Sequence, residues 1–112
     1  VLGFKKVFNF MKNGKLFGAY FKVGQNSFLE IFANDNPRNI KPVISHLCFE
    51  TDDIRALREQ LQKDIECTEI KTGADKTYQF WIKDPDGVGI EFHQYTKNSA
   101  QFSGEDVEVD WD

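Results

Sequence analysis

The sequence predicts an α+β fold of two βαβββ modules, the first lacking its first strand and most of its helix. Two observations carry this. The second half reads as strand, helix and three strands in that order, whereas the first half reads as three strands alone. The halves also repeat: at an offset of 61 residues Lys22 falls on Lys83, Leu29 on Ile90, Glu30 on Glu91 and Ile31 on Phe92. By that offset the counterpart of His46 would stand some fifteen positions ahead of Val1, and Gly3 would close a helix at a C-cap position.

The elements follow in order. Lys6 to Met11 reads as a strand with Val7, Phe8 and Phe10 as apolar positions, and Asn13-Gly14 is a hairpin turn. Leu16 to Val23 is an aromatic-rich second strand, Gly24 to Asn26 a turn, and Ser27 to Phe32 a third strand. Residues 34–42, with two prolines, read as a linker. Val43 to Glu50 is a strand, and Asp52 or Asp53 caps a helix running to about Lys63 with Ile54, Leu57 and Leu61 on one face. Cys67 to Lys71, Tyr78 to Lys83 and Val88 to Tyr95 complete the set, with Asp84-Pro85-Asp86-Gly87 turning between the last two. One domain is expected: 1–33 as the incomplete module, 34–42 as linker, 43–96 as the complete module and 97–112 as an acidic tail.

Composition narrows the function classes. A chain of 112 residues, 40% hydrophobic and 29% charged, supports one modest core. Mean hydropathy of -0.51, no apolar run of membrane-spanning length and no signal peptide point to a soluble, cytoplasmic protein with no membrane partner. Five of the 18 acids lie between Ser103 and Asp112, and the body carries 14 bases against 13 acids. Such a body offers no footprint for nucleic acid, which leaves a small-molecule partner. Cys48 and Cys67 lack metal or redox spacing and are expected to be free, buried thiols. Within the tail, Val107, Val109 and Trp111 alternate with acids, the pattern of an edge strand or of a segment lying across an apolar face.

Strand alternation proposes a site. Phe28, Glu30 and Phe32 share one face of their strand, Ile44, His46 and Cys48 one face of theirs, and Glu91, His93 and Tyr95 one face of a third. Their apolar neighbours Leu29 and Ile31, Leu47 and Phe49, and Ile90 and Phe92 point the other way, toward an expected helical layer. Two carboxylates and an imidazole converging in a cup would suit a divalent transition metal with oxygen-rich coordination. His93 could contact substrate or metal, although a supporting or exposed position is commoner for such a residue.

Three segments carry a family resemblance. Val1 to Phe4, Ile44 to Phe49 and, most specifically, Asp84-Pro85-Asp86-Gly87-Val88-Gly89-Ile90-Glu91 resemble segments of the vicinal oxygen chelate superfamily, which includes glyoxalases, bleomycin-resistance proteins and extradiol dioxygenases. The resemblance implies four metal positions, one on the first and one on the last strand of each module. Glu30, His46 and Glu91 match three, and the fourth would lie on the missing strand. Extradiol dioxygenases place a second His where Glu30 stands, epimerase-like members usually place Gln there, and bleomycin-binding members generally lack the ligands. A Glu at both module ends looks most like glyoxalase I. That likeness implies a lyase or isomerase holding Zn, Ni, Mn or Fe and acting on a 2-oxo-aldehyde thiol adduct. The metal would offset the charge of an enediolate, Glu91 would be the base, and Glu30 a ligand or counter-base. Phe28, Phe32, His93 and Tyr95 would be candidate substrate contacts. A half-open first module implies a homodimer. The alternatives are a metal-free binding protein that uses aromatic surface from Phe28, Phe32, Phe80, Trp81 and Tyr95, or a dioxygenase of the same superfamily.

Overall fold

The computed structural model describes residues 2–33 and 44–110, so the linker and Trp111 lie outside the described residues. In chain order the elements are β1 (Lys5–Lys12), β2 (Lys15–Lys22), β3 (Phe28–Phe32), β4 (His46–Glu50), α1 (Ile54–Leu61), β5 (Lys71–Thr72), β6 (Tyr78–Lys83), β7 (Gly89–Gln94), α2 (Ala100–Ser103) and β8 (Val107–Glu108). They divide into two compact units. One comprises Val1–Asn39 with Ser99–Asp112, the other Ile40–Asn98, and each holds a four-stranded sheet.

In the first unit the strand order is β3-β2-β1-β8. Asn13 and Gly14 both take positive φ, 51° and 71°, the geometry of the tight turn that suits a twisted hairpin. Gly3 is also left-handed, at φ 70°, as a residue closing a helix would be. Phe8, Phe10 and Tyr20 form the buried face with Phe28 and Phe32 along its side. Phe8 stacks on Tyr20 at 4.8 Å, and Phe10 meets Phe32 at 4.9 Å. Gly18 permits this packing, since a Cβ there would lie 2.5 Å from the Phe32 ring.

The opposite face of β3 departs from expectation. Leu29 and Ile31 are 43% and 53% exposed rather than packed under a helix. β3 is also the sheet's edge among the described residues. This is the edge and face that a first strand and helix would cover in a complete module.

The tail joins this unit. β8 runs parallel to β1 on the edge far from β3, pairing Phe10 with Val107 and Met11 with Glu108. Val107 and Val109 are buried, and the Val109 N–H donates to the Met11 carbonyl at 2.8 Å. The apolar side predicted by the alternation is therefore the docking side. A short helix the sequence reading did not expect, α2, leads into it and ends at Gly104, φ 71°.

In the second unit the order is β4-β7-β6-β5, with β4 parallel to β7 and the other pairs antiparallel. This is the complete βαβββ module. Asp53, not Asp52, caps α1, its carboxylate accepting the Ala56 N–H at 3.0 Å. The helix ends at Leu61, two residues short of expectation. It packs over β6 and β7, where Ile54 and Phe80 are fully buried.

Three expectations fail here. Leu47 and Phe49 remain about half exposed, because α1 covers the two middle strands and β4 is an edge among the described residues. The strand expected over Cys67–Lys71 shrinks to β5, since the Arg58 guanidinium takes the Thr68 carbonyl at 2.7 Å. Thr68 meets Trp81 instead with its own N–H and hydroxyl. The two cysteines are not buried as expected: Cys48 is exposed and Cys67 half-buried. No helix among the described residues is long and apolar enough to cross a membrane.

Candidate functional site

The parallel pairing of β4 with β7 builds the site. Cys48 stands beside Glu91 and Glu50 beside His93, while β6 sets Trp81 beside Glu91 and Gln79 beside His93. Cross-strand neighbours share a face, so His46, Cys48, Glu91 and His93 lie together opposite the helix. The turn before β7 fixes the register: the Asp84 carboxylate accepts the N–H groups of Asp86 and Val88, at 2.9 and 2.8 Å, and Gly87 takes φ 85°.

His46 and Glu91 meet. His46 Nε2 lies 3.4 Å from Glu91 Oε2, with side chains only 17% and 10% exposed. The His46 ring stands edge-on to Trp81 at 4.7 Å, and its Nδ1 lies 3.4 Å from the Ser45 hydroxyl. Glu91 as a whole is 8% exposed. The nitrogen–oxygen pair fits a divalent cation: two such donors on one ion at 2.0–2.2 Å would stand about 3–3.5 Å apart.

Glu30 occupies the equivalent place in the other unit. It pairs with Tyr20 on β2 as Glu91 pairs with Trp81 on β6, and 61 residues separate both members of the two pairs. Phe28 and Phe32 flank it, and Phe28 also touches Tyr20, with ring centres 5.2 Å apart.

His93 is not exposed. It is 6% accessible, with its ring 4.6 Å from Tyr95 and Nδ1 3.4 Å from Cys48 Sγ. Burial first, and then the nearby Glu50, Cys48 and Asp75, push the Tyr95 hydroxyl well above the usual phenol range. The residue the sequence reading left out of the site is Cys48. Its signal was present: it follows His46 by two positions on the same face.

The chain matches the Glyoxalase/Bleomycin resistance protein/Dioxygenase superfamily over residues 1–92. It belongs to that superfamily. No curated protein sequence matches it. Among solved structures, an extradiol ring-cleaving dioxygenase from B. fuscum is similar at TM-score 0.60 and 17% identity, which shows the fold. The likeness covers 95% of this chain and 32% of the dioxygenase, so the chain spans about a third of that protein's length. A glyoxalase family protein from Enterococcus faecalis is 23% identical over 82% of this chain and 79% of its own, at TM-score 0.45. A glyoxalase family protein from Bacillus anthracis is 26% identical over 70% and 62%, at TM-score 0.42.

Proposed function

We propose that this superfamily member is a cytoplasmic, homodimeric lyase or isomerase of the glyoxalase kind, which removes a proton next to a carbonyl with Glu91 as the base. The observation that supports it is the His46–Glu91 pair: a carboxylate withdrawn from water, 3.4 Å from an imidazole nitrogen, on a sheet face walled by Trp81. His46 and Glu91 would hold a divalent transition ion, Zn, Ni, Mn or Fe, and Glu30 is the ligand we assign to the other module by its equivalent position. Such an ion supplies positive charge that stabilises charge developing on substrate oxygens.

The residues divide the remaining work. The Glu91 carboxylate takes the carbon-bound proton and returns it to the adjacent carbon. His46 fixes the direction of that carboxylate, and burial beside Trp81 keeps water from exchanging the proton. Phe28 and Phe32, which flank Glu30, and Tyr95, which touches His93, are the aromatic side chains we assign to substrate contact, each within its own unit, and we place the substrate in the class of 2-oxo-aldehyde thiol adducts.

Glu91→Gln tests this reading, because the amide keeps the shape but cannot accept the proton. Turnover of a 2-oxo-aldehyde thiol adduct is expected to fall by about 10²–10⁴-fold with the circular dichroism spectrum unchanged. Unaltered turnover would remove Glu91 from the role and leave Glu30. A second reading, a metal-free binder of a planar ligand, draws on the half-buried aromatic rings of Phe28 and Phe32 in one unit and of Trp81 and Tyr95 in the other, while Phe80, expected on that surface, is fully buried beneath α1 instead. Ligand binding unaffected by chelators, with no turnover, would select it.

A further inference from the structure

The face that carries His46 and Glu91 continues two residues further along both strands. There it gathers a different set of donors: Cys48, Glu91 and His93 offer ligand atoms that all lie within 4.8 Å of one another. Cys48 is the direct cross-strand neighbour of Glu91 in the β4–β7 ladder, and His93 follows Glu91 by two positions on the same face. Two adjacent strands thus fix all three side chains. From these residues we propose a second cation site, Cys48–Glu91–His93, that takes a thiophilic divalent ion such as Zn²⁺.

Geometry supports it. A thiolate bound at about 2.3 Å and an imidazole nitrogen at about 2.0–2.1 Å on one tetrahedral ion stand about 3.5 Å apart. Cys48 Sγ and His93 Nδ1 are 3.4 Å apart. The widest separation in the set, up to 4.8 Å, exceeds that tetrahedral edge and closes by a small rotation of the carboxylate or thiol. Glu91 and His93 are buried while Cys48 is exposed, so a cation has an open approach on the sulfur side. Three protein ligands leave the fourth position free.

Ligand chemistry separates this site from the His46 set. A thiolate selects Zn²⁺ over Mn²⁺ or Mg²⁺, which favour carboxylate and water. Glu91 belongs to both sets, so an ion held with Cys48 withdraws this carboxylate from His46. The proposal does not depend on the lyase reading.

Cobalt titration of the purified chain under reducing, oxygen-free conditions tests it. Co²⁺ should produce the near-ultraviolet thiolate-to-cobalt charge-transfer band. The band should vanish in Cys48→Ser, persist in Cys67→Ser and His46→Gln, and require at least about tenfold more Co²⁺ in His93→Gln. In the unmutated protein, Zn²⁺ should slow alkylation of Cys48 and leave that of Cys67 unchanged, read by mass spectrometry. A band that survives Cys48→Ser, no band at all, or alkylation of Cys48 indifferent to Zn²⁺ would overturn the site and show an ordinary Cys–His contact. Loss of turnover in Glu91→Gln without these signals would fail this site alone.

Discussion

Glu91 and Glu30 stand at equivalent positions, each across from an aromatic residue; the sequence marks Glu30 by its apolar neighbours Phe28 and Phe32, and Glu91 by the turn before it. The Asp84 turn that precedes it is a specific signal, because one carboxylate must cap two backbone N–H groups before β7 begins. Cys48 reads as core filling from sequence, because its thiol lacks paired spacing and nothing in the pattern shows that β4 is an edge strand among the described residues. Another residue-scale consequence lies in the tail. Asp106 sits fully at the surface, and the backbone N–H of Asn9, then its side-chain amide, hold its carboxyl below the usual carboxylate range. A carboxyl lowered on folding stabilises the fold above its unfolded value, about 3.9. That contribution is lost as pH falls through the lower folded value. Asp106→Asn should therefore melt below the wild type near neutral pH, and the difference should close below about pH 4. A gap that stays constant into acid would show the carboxylate charge to be irrelevant to docking.

Most elements were legible because each carried its own punctuation: Asn13-Gly14 for the first hairpin, Asp53 for α1, the Asp84 turn for β7. One exception, residues 67–71, failed through a tertiary contact. Arg58, one helix away, takes the carbonyl that a strand would have offered β6, and no local pattern encodes that competition. The Asp53 cap should be worth about 1 kcal/mol, so Asp53→Ala should lower stability by that amount in urea unfolding. Asp52→Ala should not, since Asp52 is not the cap; equal losses in the two variants would contradict the assignment. β8 gives the stronger test of an element. Deleting Ser103–Asp112 removes two buried valines and the β1 ladder on that edge, so the melting temperature should fall. An unchanged midpoint would show the tail to be dispensable.

At the level of the whole molecule, the repeat at 61 residues foretold two modules, and the structure gives two units with one sheet each. It also foretold that the first would be incomplete, which agrees with the exposure of Leu29 and Ile31 and with β3 standing at the sheet's edge among the described residues. An exposed apolar face on a strand that is the sheet's edge among the described residues promotes association, so sedimentation should show a dimer at micromolar concentration; a stable monomer would contradict this. What pattern could not supply was the exposure of Leu47 and Phe49, because strand alternation gives the face and not what covers it. The central claim is that His46 and Glu91 hold a catalytic divalent ion, and Mn²⁺ tests it most directly because it binds nitrogen and oxygen donors and discriminates against the nearby thiol. Titration followed by electron paramagnetic resonance should show Mn²⁺ bound by the wild type and by Cys48→Ser, with affinity reduced at least about tenfold in both His46→Gln and Glu91→Gln. Mn²⁺ left free by the wild type, or bound equally by all four proteins, would contradict it.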